Sequence, residues 1–439
     1  MNLYSLGFLF LFLPVGALVY YLLRGRMRSI FLLLLSLLFV GLLSPLFLLL
    51  MIVCVGLDYL LAKPIAYAHP RAKAIMAFCV TKDILLFVVC SSLMELHYFY
   101  LPLGVSVAAF TSLGYIADLY HGETDLVDDP IAYGIFCCFF GKLYIGPIVS
   151  ANDFIPQVAT AHLTAYGISR GMVQLIRGLA KKVILADALS ELIVRWDSLL
   201  VTEVTVLGTW MKVICFIFYI YFTLSGYSDM ATGTGAIFGL ELPENFHHPL
   251  QASSVTDFFS RFNISANRFV RKYVYQALGA EDNGRLSTSV NIMLITMLMG
   301  LWYGINLNYL VWGAFLGIFI VIEVLYIEKH VDRIPPYLVR TYTFIAILIS
   351  FCWYCGNSIG DSFRALRVMF GLGGAPFASD GCVYLLQSYW LLLVGCMIFC
   401  GGLLAPLLAR FAKKHPDFSR VSSLISNLLL LAVSLAFMV

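Results

Sequence analysis

From Ile30 to Leu61 the chain runs for about 32 residues in almost unbroken apolar character, interrupted at Pro45. A helix crossing a bilayer needs roughly 20 such residues, and in hydrocarbon only helices and closed barrels satisfy every backbone N–H and C=O. The stretch is too long for one crossing. It predicts two helices meeting near Pro45, or one crossing and a re-entrant piece. Similar runs fall near Tyr4–Leu23, Ala74–Leu93, Leu101–Leu119, Ile131–Val149, Val204–Leu224, Ser289–Leu301, Tyr309–Leu325, Tyr342–Cys355, Val383–Leu404 and Ser422–Val439. The pattern predicts an all-α polytopic membrane protein with about 10–12 spans and further amphipathic or re-entrant helices. Composition agrees: 61% of the residues are hydrophobic and 12% charged, against about a quarter charged in soluble domains. No polar linker or low-complexity tract divides residues 1–439, so a single integral-membrane domain is expected.

A net charge of +3 gives no case for a nucleic-acid partner. The position of the cations says more. Arg24, Arg26 and Arg28 directly follow the first apolar run, which predicts an extracytoplasmic N-terminus and a cytoplasmic first loop. Because these charges follow the run rather than precede it, a retained anchor is expected and not a cleaved signal. The 11 cysteines lie mostly in apolar runs. Cys352-x-x-Cys355 has redox spacing without a thioredoxin-like context, so buried thiols are expected. No metal site or bound cofactor is expected.

Ionisable residues inside apolar runs are the exceptions to explain. Lys82 and Asp83 sit side by side at mid-run, where a charge costs roughly 2.5–3.5 kcal/mol unless paired or facing water. Mutual neutralisation in the bundle and a functional role both remain open. With Lys142 and Asp229 they permit a transporter, but no internal repeat supports one. Two stretches are amphipathic. Gly167–Trp196 sets Arg170, Arg177, Lys181 and Lys182 beside apolar residues. Ser254–Tyr275 opens on a capping-box-like Ser254-x-x-Asp257 and spaces Arg261, Arg268, Arg271 and Lys272 to share one helix face. Such a helix lies on a membrane surface against anionic lipid heads, or dips into a cavity.

The segment Gly226–Gly233 reads as an apolar helix ending in a small, polar run, followed by Leu242-Pro-Glu-Asn-Phe-His-His-Pro249. Irregular polar backbone at membrane depth is tolerated only in protein interior or beside water, which makes Tyr227–Tyr275 a candidate site. Leu298–Gly313, with Gly300, Gly304, Asn306 and Asn308, reads as an interrupted helix. Gly300-x-x-x-Gly304 and Gly313-x-x-x-Gly317 are equally compatible with close helix–helix contacts.

Motifs in order along the chain carry a resemblance. They are Phe8-Leu-Phe-Leu-Phe-Leu-Pro14, Tyr20-Tyr-Leu-Leu-Arg24, Leu101-Pro-Leu-Gly-Val-Ser106, Tyr115-Ile-Ala-Asp-Leu-Tyr120, Gly146-Pro-Ile-Val149, Gly178–Asp187, Tyr227-Ser-Asp-Met230 and Pro243-Glu-Asn-Phe246. Together they make the chain similar to the membrane-bound O-acyltransferase (MBOAT) family, in the bacterial branch with alginate O-acetyltransferase and teichoic-acid D-alanyl transferase. The resemblance implies a helical bundle around a central cavity in the bacterial inner membrane, with the active region at residues 226–317. A cytoplasmic thioester, acetyl-CoA or an acyl-carrier protein, would donate an acyl group to an extracytoplasmic polysaccharide or carrier. Membrane lipids, an extracytoplasmic acyltransferase or a polysaccharide-synthesis protein would be partners.

The same resemblance exposes two departures. The family's Leu-Trp-His-Gly reads Leu301-Trp302-Tyr303-Gly304, its Arg-Trp-His-Ile-Ser reads Arg261-Phe262-Asn263-Ile264-Ser265, and a further family histidine corresponds to Leu316. None of the eight histidines falls on these positions, and His247 and His248 stand where the family commonly has Asn-His. Acyl transfer to a hydroxyl needs a base, and imidazole, with a pKa near 6.5, suits neutral pH. Tyrosine is only about one part in a thousand ionised at pH 7, and asparagine does not titrate. Two readings follow. In one the protein is a catalytically impaired MBOAT-fold member of a polysaccharide acylation system. In the other it is an active transferase, with Tyr303 as acid/base, Asn263 bonding the acyl carbonyl and Arg261, Arg268 and Lys272 guiding donor phosphates. Tyr227, Ser228, Asp229, Asn245, Trp302 and Asn306 complete the expected substrate-binding set.

Overall fold

The computed structural model describes residues 2–95, 104–161, 163–278, 284–327, 335–400, 410 and 413–438. Every regular element among them is helical, and extended backbone pairs only at one antiparallel bridge, Phe246 with Phe262. Among the described residues eight helices are long and apolar enough to cross a membrane, accompanied by the shorter apolar helices Phe8–Leu22, Pro130–Leu143 and Val421–Ala436. The protein is an all-α polytopic membrane protein. Residues 101–103 of the expected Leu-Pro-Leu-Gly-Val-Ser motif, residues 401–404 of the expected Val383–Leu404 span and residue 439 lie outside the described residues.

The chain divides into two compact units, Met1–Leu179 with Gly226–Asn245, and Ala180–Ser225 with Phe246–Val439. The first contains α1 (Leu13–Leu22), α2 (Arg26–Leu43), α3 (Pro45–Ala66), α4 (Ala72–Glu95), α5 (Gly104–His121), α6 (Pro130–Cys138), α7 (Phe140–Leu143), α8 (Ala151–Thr160) and α9 (Ala165–Ala180). The long Ile30–Leu61 run resolves into two helices, α2 and α3. Ser44 accepts from the Phe47 N–H at 3.3 Å, and Pro45 takes the first helical position, where its missing N–H is no loss.

Two of the expected apolar runs in this unit differ in detail from a plain lipid-facing helix. Helix α5 is buried almost continuously from Val107 to Leu119, inside the packing of its unit. The Ile131–Val149 run breaks at Phe139 into α6 and α7. The amide of Phe140, freed by the break, donates to Ser36 Oγ at 3.2 Å. Around that break Phe8, Phe12, Phe39 and Phe140 pack with ring centroids 5.5–6.2 Å apart.

Helix α10 (Asp187–Thr202) lies in the second unit, and α11 (Val206–Ile237) begins there and ends in the first. The expected helix end at Gly226–Gly233 is not found, because α11 continues through it. The glycines serve close packing instead: a Cβ on Gly233 would stand 2.6 Å from the Gly171 carbonyl oxygen of α9, and one on Gly178 would stand 2.6 Å from that of Gly226.

The rest of the second unit comprises α12 (Val255–Arg261), α13 (Ile264–Val270), α14 (Gly284–Tyr303), α15 (Leu307–Ile322), α16 (Pro336–Tyr354), α17 (Ile359–Met369), α18 (Asp380–Cys400) and α19 (Pro416–Ala436). Its core gathers Trp196, Phe222, Phe258, Trp312 and Phe351, all essentially inaccessible. Helices α14 and α15 form a tight hairpin around Gly304–Asn306, confirming the interrupted helix. A Cβ on Gly300 would meet the Tyr309 carbonyl oxygen at 2.1 Å, and one on Gly313 that of Thr296 at 2.2 Å, so small residues set this contact too. Cys352 on α16 is a buried free thiol, as expected, whereas Cys355, just past the end of α16, is free but only partly buried.

Candidate functional site

The site in the second unit is built around the turn between α12 and α13. Ser254 caps α12 by accepting from the Asp257 N–H at 2.8 Å, while the Asp257 carboxylate reaches back to the Ser253 N–H at 2.9 Å. Helix α12 then stops. Phe262 turns extended, bridges Phe246 and packs its ring against Phe246 and Phe258, each at 5.1 Å. Asn263 follows with φ 54 and ψ 55. Asparagine and histidine are among the residues that best tolerate this left-handed region, so the backbone accepts either.

This turn overturns the expected single helix over Ser254–Tyr275. Its cations do not share one helix face. Arg261 ends α12 and donates from Nε to Asp257 Oδ1 at 2.6 Å. Arg268 lies exposed on α13, and Arg271 and Lys272 fall in a π-helical turn, with Lys272 Nζ 5.1 Å from the centre of the Tyr273 ring. Partial burial pushes the Asp257 carboxyl up, but the hydrogen bonds from Arg261 and the Ser253 amide outweigh it and hold it below its ordinary value.

The left-handed turn brings Asn263 to Tyr303, the last residue of α14. The Asn263 Nδ2 donates to Tyr303 Oη at 3.3 Å. The Tyr303 ring stands edge-on to Trp312 at 5.6 Å and to Tyr354 at 5.9 Å. Among the described residues Asn263 is the hydrogen-bond partner of Tyr303, and no imidazole reaches it. His247 is exposed, and its backbone N–H donates to the Arg261 carbonyl at 2.9 Å; His248 takes φ 44 beside it. Trp302 is half-buried, and Asn306 caps α15, its Oδ1 accepting from the Asn308 N–H at 3.1 Å.

The remaining expected site residues belong to the first unit. Tyr227 packs between Tyr4 and Tyr144, with ring centroids at 6.0 and 4.8 Å. Ser228 and Asn245 are buried, and Asp229 Oδ1 accepts from Gln174 Nε2 at 2.9 Å. The structure therefore pairs Asn263 with Tyr303 inside one unit and places Tyr227, Ser228, Asp229 and Asn245 in the other.

One residue of the site region escaped sequence reasoning. Glu323, buried at the end of α15, accepts from the Val255 N–H at 2.7 Å, the Thr256 N–H at 2.9 Å and the Thr256 hydroxyl at 2.8 Å. It fixes the start of α12, and through it the turn that carries Asn263. The signal was present as an acid inside the Tyr309–Leu325 run. No group of three or more metal-ligating side chains occurs among the described residues.

The sequence profile described as "MBOAT, membrane-bound O-acyltransferase family" matches residues 129–359, which contain both Asn263 and Tyr303. "Probable alginate O-acetylase AlgI" of Pseudomonas fluorescens is 31% identical over 372 residues, covering 83% of this chain and 75% of that protein. The chain belongs to the membrane-bound O-acyltransferase family. The "Peptidoglycan O-acetyltransferase" of Helicobacter pylori is 27% identical over 421 residues, covering 84% of this chain and 79% of its own length. The "Teichoic acid D-alanyltransferase" of Bacillus subtilis is 24% identical over 267 residues, covering 58% and 66%. Family membership thus rests on much of the chain, while the departures at Tyr303 and Asn263 sit inside the matched region.

Proposed function

We propose that this protein is an MBOAT-fold component of a cell-envelope polysaccharide acylation system in the bacterial inner membrane, and that its own acyl-transfer chemistry is lost or strongly impaired. The observation that carries the reading is the Asn263–Tyr303 pair. Two positions where the resemblance expects histidines meet across 3.3 Å, and neither side chain is a base at neutral pH. The amide donates to the phenol oxygen, so the phenol proton has no acceptor in this pair. A general base typically contributes about 10²–10⁴ in rate. The retained scaffold would hold a lipid, an acyl-carrier protein or a partner acyltransferase, with its N-terminus extracytoplasmic. The names of the relatives, two O-acetyltransferring and one D-alanylating, support an envelope polymer as the system's target.

The test gives the full chain in lipid nanodiscs a radiolabelled acetyl thioester and follows hydrolysis and transfer. Turnover absent from the unaltered chain that appears on restoring histidine, in Tyr303→His or in the Tyr303→His/Asn263→His double variant, supports a lost reaction on an intact scaffold. Turnover by the unaltered chain that disappears in Tyr303→Phe overturns the proposal, making Tyr303 the acid/base of an active transferase.

A further inference from the structure

A second polar centre lies in the first unit, at the contact of α3, α4, α5 and α6. Lys82 Nζ donates to Asp58 Oδ2 at 2.9 Å, to Asp83 Oδ1 at 2.6 Å and to the Cys54 carbonyl at 3.4 Å. Both aspartate side chains are 1% exposed. Ser112 Oγ of α5 donates to Asp58 Oδ2 at 2.7 Å and is itself 2.8 Å from Tyr133 Oη of α6. Sequence adjacency pointed to Lys82 and Asp83; Asp58 comes to them only through the fold.

The cluster does not balance. Two carboxylates face one ammonium, leaving one negative charge inside helices that span hydrocarbon. The other oxygen of each aspartate, Asp58 Oδ1 and Asp83 Oδ2, is buried without a hydrogen-bond partner among the described residues. An unmatched buried charge with an unsatisfied acceptor is the arrangement that low-dielectric surroundings penalise most. The space beside these oxygens, walled by Asp58, Asp83, Ser112, Cys54, Phe47 and Leu86, is about the size of one water molecule. It offers no room for a metal ion with its several ligands, and Lys82 would repel one.

The other titratable groups facing the carboxylates are the thiols of Cys54 and Cys79 on α3 and α4, and Tyr133 and Cys137 on α6. None supplies a cation. Helix α5 contributes the hydroxyl of Ser112. Its neighbour Thr111 receives Lys142, a buried ammonium 3.4 Å from Thr111 Oγ1 and 4.9 and 5.2 Å from the ring centres of Phe136 and Phe154.

We propose that the Asp58–Lys82–Asp83 cluster is an intramembrane proton-binding site that holds one proton at neutral pH. The proton resides on Asp83. Asp58 Oδ2 receives two donors, Lys82 and Ser112, whereas Asp83 Oδ1 receives only Lys82, and donors favour the ionised form. Loading takes one proton from water and converts one carboxylate to a carboxylic acid, whose hydroxyl can donate to the oxygen of Asp58 left unpartnered. No bond of the chain breaks, and the cluster becomes neutral.

The experiment is infrared spectroscopy of the full chain in nanodiscs at pH 7, reading the C=O stretch of protonated carboxyl groups. The expected result is a band that shifts on ¹³C-aspartate labelling of the unaltered protein, disappears in Asp83→Asn and is lost on raising the pH. The label needs no variant, so the test survives a misfolded Asp83→Asn. Absence of an aspartate-sensitive band overturns the proposal. So does a band seen only in Lys142→Met, since Lys142 would then be the charge that balances the cluster. Loss of the band on replacing choline with sodium at constant pH would also overturn it, in favour of a cation.

Discussion

The polar centres of the two units follow opposite plans. In the first, three ionisable side chains crowd together, two carboxyl groups to one amine, with two oxygens unpartnered among the described residues. In the second, Asn263 and Tyr303 form a neutral pair inside an aromatic wall. The difference separates titration from position. The position that the family resemblance marks for chemistry carries no group that titrates near neutral pH, while the group of acids and base lies where the resemblance marks nothing. Glu323 shows that burial alone does not leave a carboxylate wanting. It is as enclosed as Asp83 yet takes three donors.

The comparison breaks most visibly at Tyr303. Restoring histidine there should raise thioester turnover by about 10²–10⁴-fold, with Tyr303→His giving more than Asn263→His alone, measured by release of labelled acetate. Equal turnover in all variants would mean that the pair is not where the chemistry stood.

Next in size is Lys82→Met. Removing the cation that bonds both buried aspartates should cost about 3–5 kcal/mol, read as a fall in thermal midpoint in detergent. Tyr303→Phe should cost only about 1 kcal/mol, the net worth of the neutral hydrogen bond from Asn263. Comparable losses at both sites would erase the contrast drawn above.

Glu323→Ala leaves two backbone donors at the start of α12 without their acceptor and should destabilise the chain by about 1–3 kcal/mol. Glu323→Gln, which keeps one acceptor oxygen, should lose less. Neither should alter the aspartate infrared band, which distinguishes a satisfied carboxylate from an unsatisfied one.

The smallest effect is at Asp257. Its carboxyl is held below its ordinary value in the folded chain, chiefly against a burial effect that would raise it. Its stabilisation is therefore present above the ordinary carboxylate value and is lost as the pH falls through the depressed folded one. Asp257→Asn should cost about 0.5 kcal/mol at pH 7, and the gap in thermal midpoint between the two proteins should close on acidification. A gap that persists at low pH would assign Asp257 a packing role instead.

Much of this was legible in the residues. Apolar run length located the crossings, since a bilayer sets a minimum length that few other environments demand. The motif order pointed to the family, and two letters inside it, Tyr303 and Asn263, raised the question of activity. Glycine misled where it lacked a third dimension: the small residues of Gly226–Gly233 looked like a helix end but permit close approach to α9. Cation spacing misled at Ser254–Tyr275, because periodicity assumes a continuous helix and Phe262 leaves it to pair with Phe246.

The order of residues alone thus determined the membrane as solvent, the helical class and the absence of histidine from the family's motif positions. Only the tertiary structure decided that Asn263 meets Tyr303, that Glu323 holds the start of α12, and that Asp58 joins Lys82 and Asp83 from 24 residues away. The physical reason is the same in each case. Hydropathy is a property of a local segment, whereas the partner of a buried polar group is chosen by whichever distant helix presents the complementary atom.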